Sequence, residues 1–212
     1  MNKLFTFGDS FTFNKTHEED EYSILYRKLN DFHWAEIIAS KLNLELVNFG
    51  YGSLSNDRII DSILENHHLI GENDFVIIGK TFYHRFDIPN NQNINLPLYK
   101  RFTTITPSAY DLLIQLGFSK EEGEHIIYFL NLVNDQSFID RTNFRYAFIE
   151  KFLYSKKINN CIFWEVTDLW TSFENIKTAT NNKINDNHWS FKGHRDFANH
   201  LMVNFINDKK LI

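Results

Sequence analysis

At 212 residues, with 43% hydrophobic and 23% charged residues, the chain has the size and composition of one folded domain with a sizeable core, which excludes a disordered chain. A formal net charge of -5 supplies no broad basic field for phosphates, so nucleic acid is not an expected partner. The lone Cys161 excludes an internal disulfide and a cysteine-rich metal site, and no apolar run has the length of a membrane span. With no leader pattern ahead of Leu4, a cytoplasmic protein is expected.

In chain order, short runs rich in Phe, Ile and Val at 3–7, 44–49, 75–78 and 161–166 read as buried parallel strands. Between them, Trp34, Ile37, Ile38 and Leu42 share one helical face, and Ile59, Ile60, Ile63, Leu64 and His67 share another. A long segment at about 85–137 follows the third strand, polar over 89–93 and helical in pattern over 110–116 and 121–133. Phe191, His194, Phe197, Ala198 and Leu201 mark the buried face of a last helix.

The order is βαβαβ, a helical stretch, then βα. It predicts a single α/β domain over 1–212, a three-layer, doubly wound and mainly parallel sheet with a helical insertion after the third strand. Sites in such sheets form beyond the carboxyl ends of the strands, where Ser10 falls. The insertion, and the long connection at 12–32, are expected to overhang that site. For the insertion, a substrate-selecting cap and a packed element without a ligand role are equally open.

Two motifs carry chemistry. Gly8-Asp9-Ser10 ends the first strand; alone, the tripeptide is an ordinary turn composition. Asp186-Asn187-His188-Trp189-Ser190 precedes the last helix and places a carboxylate two residues from an imidazole. A serine hydroxyl becomes a competent nucleophile when a neutral imidazole takes its proton and a carboxylate orients the ring from its far nitrogen. Ser10, His188 and Asp186 are the candidates for these roles.

On these blocks the chain resembles the SGNH (GDSL-like) hydrolases. The resemblance also takes in Asn48-Phe49-Gly50-Tyr51-Gly52-Ser53 after the second strand, Gly79 after the third, and Ser190, Gly193 and His194 near the end. It implies the flavodoxin-like fold of that family, an acyl-serine mechanism without metal or cofactor, and an oxyanion hole. The hole would use the N–H of Ser10, the N–H of Gly52 and the side chain at position 81. Aligned from Ser55-Asn56 instead of Asn48, the second donor becomes Ser53.

Departures are visible. The family's third-block Gly-x-Asn-Asp reads Gly79-Lys80-Thr81-Phe82 here, replacing an amide donor by a hydroxyl. Lys80 and Arg85 are possible electrostatic replacements, set against their commoner role as solvated charges. Aligned with the family, the last-block acid falls on Asn185, one residue before Asp186.

The resemblance implies a serine esterase or O-deacylase whose substrate is a small-molecule or carbohydrate ester. The alternatives are an O-acyltransferase using the same residues and a catalytically silent binding domain. Outside these motifs, His33, His67, His68 and His84 lack metal-ligand spacing, and Asn56 reads as the cap of the helix that follows it. Asp9 reads as a brace for the nucleophile turn. Phe11, Phe13, Tyr51, Phe82 and Tyr83 read as a substrate wall or as core, the latter being the commoner fate.

Overall fold

Side chains along a strand alternate between faces, and in this chain both faces are apolar, which forces helices onto each side of the sheet. The strands β1 (Lys3–Phe7), β2 (Glu45–Asn48), β3 (Phe75–Lys80) and β6 (Cys161–Glu165) form a parallel sheet in the order β2-β1-β3-β6. A computed structural model describes residues 1–13, 33–89, 102–106, 110–132, 135–169, 171–179 and 188–207.

Leu4, Ile77, Ile162 and Trp164 point to one face, where α1 (Trp34–Leu42) and α8 (Phe191–Leu201) cover them with Trp34, Ile38, Phe197 and Leu201. Phe5, Phe7, Val76 and Ile78 point to the other face, under α2 (Asn56–Asn66) and the long α5 (Asp135–Ser155). On α5 the buried residues Tyr146, Ile149 and Leu153 follow one helical stripe. Each fully buried side chain of this size contributes about 2–3 kcal/mol, so the two apolar layers hold the sheet between them.

The structure corrects several element boundaries. β2 is shorter than the apolar run, and β3 continues through Gly79 to Lys80, where it pairs with Glu165. The segment after β3 is not helical throughout: β4 (Phe86–Pro89) and β5 (Phe102–Ile105) form an antiparallel ribbon. The ribbon is followed by α3 (Tyr110–Gln115) and α4 (Lys120–Leu132). These pieces share a small apolar cluster of Ile105, Leu113 and Leu130, flanked by Phe86, Ile88 and Ile127. The last stretch of the expected insertion belongs to α5, which is part of the main core. Two short helices, α6 (Val166–Leu169) and α7 (Ile176–Ala179), follow β6.

The cap of α2 is Ser55, whose hydroxyl accepts the Arg58 N–H, and not Asn56. Asn56 is the first residue of the helix, and its side chain is used elsewhere. Among the described residues no helix is long and apolar enough to cross a membrane.

Candidate active site

β1 is flanked by β2 on one side and β3 on the other, so successive connections leave it in opposite directions and open a crevice beyond its carboxyl end. Residues 9–13 fill the floor of that crevice as a helical turn, with the N–H groups of Thr12 and Phe13 both donating to the Asp9 carbonyl at 2.9 Å. Ser10 is half-buried on this turn.

The Asp9 side chain is fully buried and accepts three hydrogen bonds, from the Phe11 N–H at 3.0 Å, the Thr81 hydroxyl at 2.6 Å and Arg85 Nη1 at 3.0 Å. Its expected bracing role is what the geometry displays. The Phe11 carbonyl is held from α1 by Trp34 Nε1 at 2.8 Å and His33 Nε2 at 3.1 Å. The Thr12 carbonyl accepts from Asn48 Nδ2 at 2.8 Å, and Asn48 Oδ1 accepts the Gly50 N–H at 2.7 Å.

Asn48 therefore ties the loop after β2 to the Ser10 turn, and Gly50 makes their close approach possible. A Cβ at Gly50 would lie 2.5 Å from the Thr12 carbonyl carbon. Gly52, in contrast, has no atom within 4 Å of where a Cβ would sit, leaving the space beside its backbone open. Ser53 is exposed and takes a left-handed conformation with φ 61°. Among the described residues, the N–H groups of Ser10 and Gly52 have no hydrogen-bond partner.

Thr81 is buried behind the crevice floor. Its backbone is read on both sides by Asn56, which accepts the Thr81 N–H at 2.9 Å and donates to the Thr81 carbonyl at 2.9 Å. Tyr146, on α5, donates its hydroxyl to the same Asn56 oxygen at 3.0 Å. The single hydroxyl proton of Thr81 goes to Asp9, so this side chain acts as a support for the turn.

The last block enters the crevice from the α8 side. Ser190 caps α8, accepting the Gly193 N–H and donating to Glu174 Oε1 at 2.7 Å, and its N–H donates to the Glu174 carbonyl at 2.9 Å. Trp189 is fully buried against Trp164, Phe173 and Phe197 and belongs to the core. This anchoring presents His188 to the turn: its imidazole packs on the Phe11 ring with centroids 4.8 Å apart. Asp186 and Asn185 lie outside the described residues, as does most of the 12–32 connection.

Two more histidines sit behind His188. His33 and His194 are buried with ring centroids 4.7 Å apart. Burial lowers the His33 pKa to about 4, opposed only in part by its bond to Phe11. Burial, together with the charges His33 and His188 would carry, lowers that of His194 well below the usual value. His33 Nδ1 accepts the Ala35 N–H at 3.3 Å, which leaves the proton on Nε2 for the Phe11 carbonyl. Both rings are thus neutral supports, and His194 has the packing role expected for it.

Farther along the strand ends, Lys80 pairs with Glu165 at 2.8 Å, and Tyr83 donates to the same carboxylate. Burial alone would raise the Glu165 pKa, but these bonds and the Lys80 charge hold it below the ordinary carboxylate value. Among the described residues no three His, Cys, Asp or Glu side chains converge as a metal site.

Of the expected site residues, the turn bearing Ser10 and the imidazole of His188 come together through Phe11. Gly52 stands at the neighbouring loop, and Thr81 supports from behind. The bracing roles of His33, Asn48, Asn56 and Arg85 were not foreseen. For His33 a signal existed, since Glu36 three residues later completes a capping box with it. Asn56 and Arg85 act on partners more than 20 residues away and left no local trace.

No family model and no curated protein matches the chain. Among solved structures it is similar to the crystal structure of a member of the lipolytic protein G-D-S-L family from Veillonella parvula DSM 2008, at 16% identity. That similarity covers 97% of this chain and 98% of that one, with a TM-score of 0.37.

Proposed function

We propose that the chain is a serine hydrolase of the SGNH (GDSL-like) type, an esterase or O-deacylase acting on a small-molecule or carbohydrate ester. Ser10 attacks the acyl carbon, and His188 takes the hydroxyl proton and returns it to the departing alcohol. The acyl-serine is then released by water, which His188 activates in the same way. The N–H groups of Ser10 and Gly52 stabilise the oxyanion, and Asp186 orients His188. Donors of this kind lower the barrier by about 3 kcal/mol each. Thr81 is left out of the hole because its proton is held by Asp9.

The observation that carries the proposal is the packing of His188 on Phe11, the residue after Ser10. It brings an imidazole 178 positions away in sequence to the turn at the carboxyl end of β1. Hydrolysis of short acyl p-nitrophenyl esters and labelling by a fluorophosphonate at Ser10 are the expected results. Both are lost in Ser10→Ala, and His188→Gln lowers the labelling rate by about 10²-fold or more. Folded protein that neither hydrolyses these esters nor is labelled at Ser10 is instead a binding domain.

A further inference from the structure

Arg85 follows β3 in a loop that the reaction scheme above does not use. Its side chain is 15% exposed, beside the fully buried carboxylate of Asp9. A carboxylate taken out of water requires a cation or several donors, and Arg85 is its charged partner. One nitrogen, Nη1, donates both to Asp9 Oδ2 at 3.0 Å and to the Leu54 carbonyl at 2.9 Å. Asp9 adjoins Ser10, and Leu54 lies two residues beyond Gly52 in the loop that follows β2. The guanidinium packs over the Phe82 ring at 5.1 Å.

We propose that Arg85 is a positioning residue: it ties the nucleophile turn to the loop carrying the second oxyanion donor and so sets the separation of the two N–H groups that receive the oxyanion. This rests on the hydrolase reading above. Arg85 acts through its two hydrogen-bond partners, Asp9 and Leu54. Its two bonds join the Ser10 turn to the loop after β2, and donors held in place before reaction are worth more than donors that must reorganise. A displacement of about 1 Å in such a site costs on the order of 10²-fold in rate.

The test compares Arg85→Met and Asp9→Asn with the double variant Asp9→Asn/Arg85→Met in the full chain. Active sites are titrated by exhaustive fluorophosphonate labelling, and kcat and KM are measured on a short acyl p-nitrophenyl ester. Arg85→Met strands the Asp9 charge and lowers the thermal midpoint; the double variant removes both charges and restores it. The expected result is a fall in kcat per titrated site on the order of 10- to 100-fold in the double variant relative to Asp9→Asn alone, with KM unchanged within about twofold.

Recovery of kcat along with the midpoint makes Arg85 a charge partner only and overturns the proposal. The double variant keeps this decisive if Arg85→Met does not fold. Wild-type protein that is not labelled at Ser10 removes the hydrolase reading and this role together, an outcome distinct from an active wild type whose variants stay fast.

Discussion

Lowering the pH should destabilise this protein through a group that lies behind the candidate site. His33 is buried, and its ring is held neutral with a pKa lowered to about 4. The unfolded chain takes up this proton near pH 6.5 while the folded chain refuses it, so stability is full above pH 6.5 and is lost as pH falls toward 4. The loss is about 2 kcal/mol at pH 5 and approaches about 3 kcal/mol below pH 4. His194, its ring neighbour, shifts in the same direction and adds to the loss. A proton on Nδ1 would also face the Ala35 N–H donor and break the cap of α1. The perturbation is His33→Asn, which keeps a capping acceptor but does not titrate. Urea unfolding of wild type and variant at pH 7.5 and pH 5 isolates the His33 share, and the variant should lose about 2 kcal/mol less over that interval. Equal losses in the two proteins would refute the assignment of a neutral, buried His33.

Other substitutions probe the supports of the turn. Thr81→Val removes one of the three donors to buried Asp9 and should cost about 1–3 kcal/mol of stability by chemical denaturation. Gly50→Ala drives a methyl into the Thr12 carbonyl carbon 2.5 Å away. It should cost about 1–3 kcal/mol and lower kcat, because the loop after β2 must withdraw from the Ser10 turn. Ser190→Ala removes the α8 cap and the bond to Glu174, which together hold the His188 segment. A loss of about 1 kcal/mol in a thermal melt is expected, with a slower labelling rate at Ser10.

The layered architecture was legible because a strand buried on both faces has a strong signature in Phe, Ile and Val, as in Leu4, Phe5 and Phe7 or Val76, Ile77 and Ile78. The ribbon of β4 and β5 was not. Its two strands are four residues each, and Asp87 of β4 binds Thr104 of β5 together with Ser55 and Arg58 from the start of α2. Such convergence has no period for a local pattern to display. The sequence pattern points to Asn56 as the α2 cap, one residue past Ser55, for a related reason. Asn56 is a good capping type, but Thr81 and Tyr146 recruit its amide, and Ser55 takes the end of the helix.

The site divides along the same line. Ser10 and His188 stand out because the proposed chemistry needs those particular side chains, whereas the supports act largely on backbone carbonyls that any residue supplies. The carbonyls of Phe11, Thr12, Leu54 and Thr81 each accept a side-chain donor. That division makes Phe11→Leu informative. The carbonyl of residue 11 keeps its bonds to His33 and Trp34 whatever the side chain, so the substitution changes only the ring that faces His188 at 4.8 Å and Trp189 at 5.1 Å. Replacing one buried apolar side chain by another costs about 1–2 kcal/mol, too little to unfold the domain. If the ring is what holds the imidazole to the Ser10 turn, the fluorophosphonate labelling rate falls on the order of tenfold while the unfolding transition stays cooperative. An unchanged labelling rate would mean that the Trp189 anchor alone positions His188, and that Phe11 is core rather than the hinge between the two blocks.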